Sequence, residues 1–137
     1  LFNRITLYYL SSMKDFVFSF EFGGFSGDQY KIYNDNLDLI IEINQQRINY
    51  EEESHKISIE EWDVFWKVVD EIDAWRWGKD YFNQDVRDGT QWELIIDRKG
   101  KRRKRIFGSN DYPPNFKLLL DSINKLAKTN IIYDGDE

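Results

Sequence analysis

Four phenylalanines spaced two apart constrain this chain more than any other feature in it. In Phe16-Val17-Phe18-Ser19-Phe20-Glu21-Phe22 every second residue is a phenylalanine, with Val17, Ser19 and Glu21 between them. Side chains alternate faces along a strand, so this spacing puts all four rings on one side of a sheet and the intervening residues on the other. A helix would scatter the same rings around its circumference. A sheet built on this strand therefore needs an apolar cover on one face and can leave the other face to water.

The cover is encoded further along. At Ser58-Ile59-Glu60-Glu61 the pattern changes period, and the serine with a glutamate three residues on is a capping box. Trp62, Phe65, Trp66, Val69 and Ile72 follow at helical spacing, while Glu60, Asp63, Lys67, Asp70, Glu71 and Asp73 fall largely off that stripe. The spacing predicts an amphipathic helix over 59–75 with an acidic outer face. A second helix is expected over 113–127. Pro113 and Pro114 suit a first helical turn, and Phe116, Leu119, Leu120, Ile123 and Leu126 form its apolar stripe.

Strands fill the intervals. Residues 29–33, 37–43 and, as a shorter fourth strand, 47–50 continue a meander from the phenylalanine strand, separated by the glycine-rich 23–28 turn and by Asn34-Asp35-Asn36. In 91–97, Trp92, Leu94 and Ile96 alternate inward. Lys99-Gly100 supplies a tight turn, and 101–107 returns as the other arm of a hairpin. Residues 78–89 read as a loop. The fold class expected is α+β: an antiparallel β-sheet of about five to six strands, with two main α-helices packed on one face. At 137 residues the chain fits a single domain over 1–137. Residues 1–12 are a first strand or an upstream extension ahead of Met13-Lys14-Asp15, and 129–137 is a tail whose end, Asp134-Gly135-Asp136-Glu137, is expected to fray.

Composition narrows the chemistry. The chain contains no cysteine, which removes disulfides, thiolate catalysis and cysteine-based zinc sites. No apolar run approaches the roughly 18 residues of a membrane-spanning helix. The apolar stretch 5–10 is short and lacks a small-residue cleavage pattern, so a secretory leader is not expected. These readings lead us to expect a cytoplasmic protein with no membrane association. Five Trp, eight Tyr and ten Phe exceed what a core of this size hides easily, so some aromatic surface is expected to serve contact.

Charge is segregated. The formal net charge is −6, yet seven of the eight residues in Arg98-Lys99-Gly100-Lys101-Arg102-Arg103-Lys104-Arg105 are basic. Such a layout speaks about partners rather than fold. Basic residues at consecutive strand positions occupy both faces, so an edge position is expected. Arg102, Arg103 and Arg105 can pair across the hairpin with Glu93 and Asp97, or contact a phosphate or an acidic partner. Overall acidity disfavours nucleic acid, whose binding draws on a positive footprint.

The remaining candidates are weaker. His55, the single histidine, follows Glu51-Glu52-Glu53 and reads as part of a solvated turn rather than a metal ligand or triad base, since no G-x-S-x-G elbow exists. Asp80, Asp85 and Asp88 match no calcium-loop spacing and suit turns, although carboxylates so grouped can also bind a cation or act as an acid/base pair. Gly23-Gly24-Phe25-Ser26-Gly27 lacks the lysine and following helix of a phosphate loop. Trp75, Trp77 and Tyr81, interleaved with Arg76 and Lys79, either close the helix end against the sheet or anchor an interface.

The run Asp88-Gly89-Thr90-Gln91-Trp92-Glu93-Leu94, the charged hairpin, Gly108-Ser109-Asn110-Asp111-Tyr112-Pro113-Pro114-Asn115-Phe116 and the closing helix resemble small bacterial domains. Those domains share a D-G-x-x-W strand, a G-x-N-x-Y-P-x-N-F turn and a C-terminal helix. The resemblance covers less than half of the chain and implies a bacterial origin and an antiparallel sheet with helices. It brings no activity with it. Plain structural roles are also expected for these residues: positive φ at Gly89 and Gly108, helix initiation at the prolines, core filling at Trp92 and Phe116.

Together these readings point to a non-enzymatic interaction domain that requires no cofactor or metal. The preferred version is an immunity- or inhibitor-type protein that neutralises a basic partner such as a toxin. The expected contact residues are Asp63, Asp70, Glu71, Asp73, Trp77 and Tyr81. The alternative is a nucleic-acid-associated module using Arg102, Arg103 and Arg105 in the hairpin 98–105. An enzyme using the loop carboxylates ranks third.

Overall fold

The phenylalanine strand lies inside a seven-stranded sheet in the computed structural model, which describes residues 15–24, 27–46, 48–85 and 89–133. The strands are β1 (Val17–Gly24), β2 (Gln29–Asp35), β3 (Asp38–Gln45), β4 (Asn49–Lys56), β5 (Asp80–Phe82), β6 (Thr90–Asp97) and β7 (Lys104–Ser109). Their spatial order is β4-β3-β2-β1-β6-β7-β5. All pairings are antiparallel except that of β5 with β7, which is parallel. The fold is thus the expected α+β class, with more strands than the five or six anticipated. The extra strand is β5, a three-residue edge in the segment expected to be loop.

The alternation settles which face is covered. Phe16, Phe18, Phe20 and Phe22 are buried, as are Ile32, Leu39, Ile41, Trp92, Leu94, Ile96 and Ile106. In register, Phe20 sits between Ile32 and Leu94, and Leu94 opposes Ile106, so one face carries a continuous apolar layer. Burying one such side chain contributes about 1.5–3 kcal/mol. The two helices, α1 (Ile59–Glu71) and α2 (Phe116–Ala127), supply the cover and touch each other. Trp62, Phe65, Trp66 and Val69 of α1 and Phe116, Leu119, Leu120, Ile123 and Leu126 of α2 are buried in the same cluster. Phe18 meets Phe65 at 4.9 Å between ring centroids, and Phe16 meets Trp62 at 4.6 Å. The Trp62 indole donates to the Leu37 carbonyl at 2.8 Å, tying α1 to the β2–β3 turn.

The capping box forms as read. Ser58 Oγ accepts from the Glu61 amide at 3.1 Å, and the Ser58 amide donates to Glu61 Oε1 at 3.2 Å, an arrangement worth about 1 kcal/mol. The helix stops earlier than the expected residue 75. Asp73 adopts a left-handed φ of 61°, and the chain continues as a single 3-10 turn, Ala74–Arg76. That break turns Trp75 back onto Trp66, with centroids 6.0 Å apart and planes within 16°.

The tail residues that precede the expected frayed end, 129–133, are docked on the fold. Asn124 Oδ1 accepts from Ile131 N at 2.9 Å and from Thr129 Oγ1 at 2.8 Å, while its Nδ2 donates to the Ile131 carbonyl at 2.9 Å. Ile131 is buried, and Tyr133 packs on Tyr112 at 4.6 Å. The segment is docked by one asparagine side chain, a signal that periodicity does not carry. Residues 1–12 and 134–137 lie outside the described residues, as does Asp88. Among the described residues, no helix is long and apolar enough to cross a membrane.

Candidate functional site

The sheet separates the two charge poles. The basic hairpin is formed by β6 and β7 near one side, and Glu51-Glu52-Glu53 lie on β4, the far edge. Five strand spacings of about 4.8 Å put them roughly 24 Å apart. The chemistry at the two poles differs.

At the basic pole most cations have protein partners. Arg98 to Lys101 makes a turn closed by a 3.0 Å bond from the Lys101 amide to the Arg98 carbonyl, with Gly100 at a φ of 85°. Glycine reaches that conformation without the Cβ clash other residues meet. Arg103 Nη1 lies 3.3 Å from Asp97 Oδ2, and Arg105 Nη2 lies 3.2 Å from Glu93 Oε2. These are the two cross-hairpin partners expected. Lys104 Nζ donates to the Trp77 carbonyl at 2.6 Å. Arg98 approaches Asp70 at 3.9 Å and lies 5.4 Å above the Trp66 ring. The expected edge position needs correction: β7 is the penultimate strand, and β5, paired in parallel with Phe107, Gly108 and Ser109, takes the edge.

The acidic helix face meets this pole and is partly consumed by it. Besides facing Arg98, Asp70 accepts from the Trp75 indole at 2.7 Å. Asp73 lies 3.6 Å from Arg76. Asp63 is half-buried and Glu71 is exposed. Trp77, expected as a contact residue, is instead buried, 4.8 Å-scale aromatic packing having drawn this region into the core: Trp77 sits 6.5 Å from Phe116, which sits 4.8 Å from Trp92. Tyr81 is half-buried, stacks on Trp92 at 6.2 Å and accepts from the Gly78 amide at 2.9 Å. The Trp75/Trp77/Tyr81 group therefore closes the helix end against the sheet.

The acidic pole was not among the expected contact residues. β4 runs to Lys56, so Glu51, Glu52 and Glu53 are strand residues opposite Ile43, Glu42 and Ile41, and His55 lies on the strand opposite Leu39 rather than in a solvated turn. Glu53 Oε2 is 3.3 Å from His55 Nε2. Among the described residues, no ion pair seen in the structure brings a lysine or arginine to Glu51, Glu52 or Glu53. On the sheet face that carries no helix, Glu42 collects tyrosines. The Tyr50 hydroxyl donates to Glu42 Oε1 at 2.5 Å. That bond, with burial and the charges of Glu42 and Glu52 adding to it, pushes the Tyr50 phenol up to about 12. Burial, with Glu42 close by, raises Tyr33 as well. Lys31, 3.9 Å from Glu21, continues this face toward β1. Glu21, Lys31, Glu42, Tyr50, Glu93 and Phe107 border a shallow depression of about 400 Å³.

Of the loop acids, Asp80 and Asp85 are described. Asp80 is exposed on β5, Asp85 is exposed in a turn, and no cluster of three or more His, Asp or Glu suited to a metal occurs among the described residues.

The glycine motif has a different basis from the one expected. Neither Gly89 nor Gly108 has positive φ; Gly100 is the one glycine with it among the described residues. Their role is close approach. A Cβ on Gly108 would fall 2.0 Å from Trp92 Nε1, and one on Gly89 would fall 1.5 Å from Asn110 Oδ1. The Trp92 indole lies over Gly108, donates to the Asp111 carbonyl at 2.9 Å and stacks on Tyr112 at 6.3 Å. The D-G-x-x-W strand and the G-x-N-x-Y-P turn are thus two halves of one tryptophan socket, a packing motif.

No protein-family model matches the chain, and no curated protein matches it.

Proposed function

We propose that this protein is a non-enzymatic interaction domain, of the immunity or inhibitor type, that binds a basic protein partner through its acidic pole. The observation that carries the reading is the contrast in charge occupancy. Glu51, Glu52 and Glu53 stand on an exposed strand with no lysine or arginine ion-paired to them among the described residues, whereas Arg98, Arg103 and Arg105 are ion-paired within the fold. Charges already engaged internally have less to offer a partner. Uncompensated like charges steer an oppositely charged protein and exclude acidic ones. A cytoplasmic bacterial setting with a toxin as the basic partner fits the reading.

This moves the preferred surface from Asp63, Asp70, Glu71 and Asp73 to β3 and β4, because Asp70 and Asp73 have internal partners. The test is parallel capture from the native host by the parent chain, by Glu51→Lys with Glu52→Lys and Glu53→Lys, and by Arg102→Ser with Arg103→Ser and Arg105→Ser. The expected result is one basic protein held by the parent and the arginine variant and lost by the glutamate variant. RNA or DNA bound at physiological salt and lost in the arginine variant would overturn the reading in favour of a nucleic-acid module.

A further inference from the structure

We infer that β4 is a docking edge that takes an extended, lysine- or arginine-bearing segment of the partner as an additional antiparallel or parallel strand. This rests on the acidic-pole reading and specifies how that pole binds.

The inference starts from the backbone. β4 has eight residues, pairs on one side with β3, and has no strand neighbour on the other among the described residues. Alternate residues of such a strand direct their amide and carbonyl groups outward, where they await hydrogen bonds. Natural edges are usually blunted by proline, a bulge, shortness or a cover. β4 shows none of these. It holds no proline, and Asn49 to Lys56 pair one-to-one with Gln45 to Asp38 without interruption. The opposite edge of the sheet is blunted, since β5 is only three residues long.

The device β4 carries is the charge of Glu51, Glu52 and Glu53 along its middle, with one lysine, Lys56, at its end. Three successive glutamates present carboxylates on both faces of the strand, Glu52 on the open face beside Tyr50, Glu51 and Glu53 on the helix side. Two copies of β4 pairing antiparallel would bring these glutamates against one another, which is destabilising for like charges directly opposite. An acidic strand is excluded in the same way. A strand with cations at successive positions meets complementary charge on both faces while its backbone completes the ladder. Main-chain bonds then supply affinity and the carboxylates supply selection, the division of labour in strand addition.

The probe is a synthetic peptide of the same length as β4, with three central lysines flanked by threonine and valine. Two further peptides carry the same side chains and N-methyl groups at alternate amides, one in each register. Charge is nearly identical in all three; only one methylated register blocks the ladder. The expected result is binding of the parent peptide at low salt, with one methylated peptide weaker by about tenfold or more, equivalent to about 1.4 kcal/mol. Slowed hydrogen exchange at alternate amides of β4 accompanies it. Equal binding of all three peptides, with exchange unchanged, would overturn strand addition and leave the acidic-pole reading standing. Absence of parent-peptide binding at low salt overturns the inference, while the host-capture comparison decides the broader reading on its own. Self-association of the protein abolished by the Arg102, Arg103 and Arg105 serine changes would give the edge to a second copy and overturn the assignment too.

Discussion

The two sides of the sheet carry opposite charge and use it differently. At the β6–β7 side, arginines and lysines reach Asp97, Glu93, Asp70 and the Trp77 carbonyl, so the basic run helps hold the hairpin against α1 and the 3-10 turn. At the β4 side, the glutamates project from a strand whose outer edge has no strand neighbour among the described residues. The lesson is that a run of charge in a sequence measures density, and only the fold shows how much of it is already engaged. The loudest charge signal here, the basic run, has Arg98, Arg103, Lys104 and Arg105 engaged within the fold; the quieter one, three glutamates, has no lysine or arginine partner among the described residues.

The largest effect expected from breaking this contrast is on the basic side's foundation. Trp66→Ala removes the ring on which Arg98 and Trp75 rest and should destabilise by about 3–5 kcal/mol as a large-to-small core change. Gly108→Ala forces the Trp92 ring out of its socket and should cost about 1–3 kcal/mol or more. Chemical denaturation measures both. Unchanged stability in Trp66→Ala would mean that α1 docks by another face, and in Gly108→Ala that the tryptophan socket is not closed.

Smaller effects sharpen the comparison. Arg98→Ala removes one cation–π contact and one partly exposed ion pair, so a loss of about 0.5–1 kcal/mol is expected. The same denaturation measurement checks it, and a gain in stability would show that the pair is not formed. At the other side, Tyr50 titrates near 12 rather than 10.0, so stability tied to it is complete below pH 10 and is lost as pH rises toward 12. Glu42→Gln should bring that phenol back toward its ordinary value in an ultraviolet alkaline titration; an unmoved midpoint would remove the Tyr50–Glu42 bond from the account. His55→Ala should leave partner capture intact, since it keeps Glu51, Glu52, Glu53 and the β4 backbone. Loss of capture in that variant would assign His55 to the interface.

Much of the fold was legible because it depends on short-range periodicity. Phe16 to Phe22, the Ser58/Glu61 box and the Trp62-to-Val69 stripe each announce their element within a few residues. Three features were not. Glutamate is disfavoured in strands, so the expected fourth strand ended at residue 50, before Glu51-Glu52-Glu53, and the length of β4 was hidden. β5 exists only because Asp80 to Phe82 meets Phe107 to Ser109, a pairing between distant segments that no local pattern signals. Gly89 and Gly108 read as turn glycines because the rings and side chains pressing on them come from elsewhere in the chain. The candidate surface suffered from the same limit. Asp70 and Asp73 are visible as acids in the sequence, but their engagement with Arg98, Trp75 and Arg76 emerges only from packing.

The measurement that tests the central claim most directly is the salt dependence of association with the captured partner. Rates would be compared for the parent, the Glu51/Glu52/Glu53 lysine variant and the Arg102/Arg103/Arg105 serine variant. The account predicts fast association at low salt that falls steeply with added salt for the parent and the serine variant, and slow, nearly salt-independent association for the lysine variant. A lysine variant that associates like the parent, beside a serine variant that has lost its rate and its salt dependence, would contradict it.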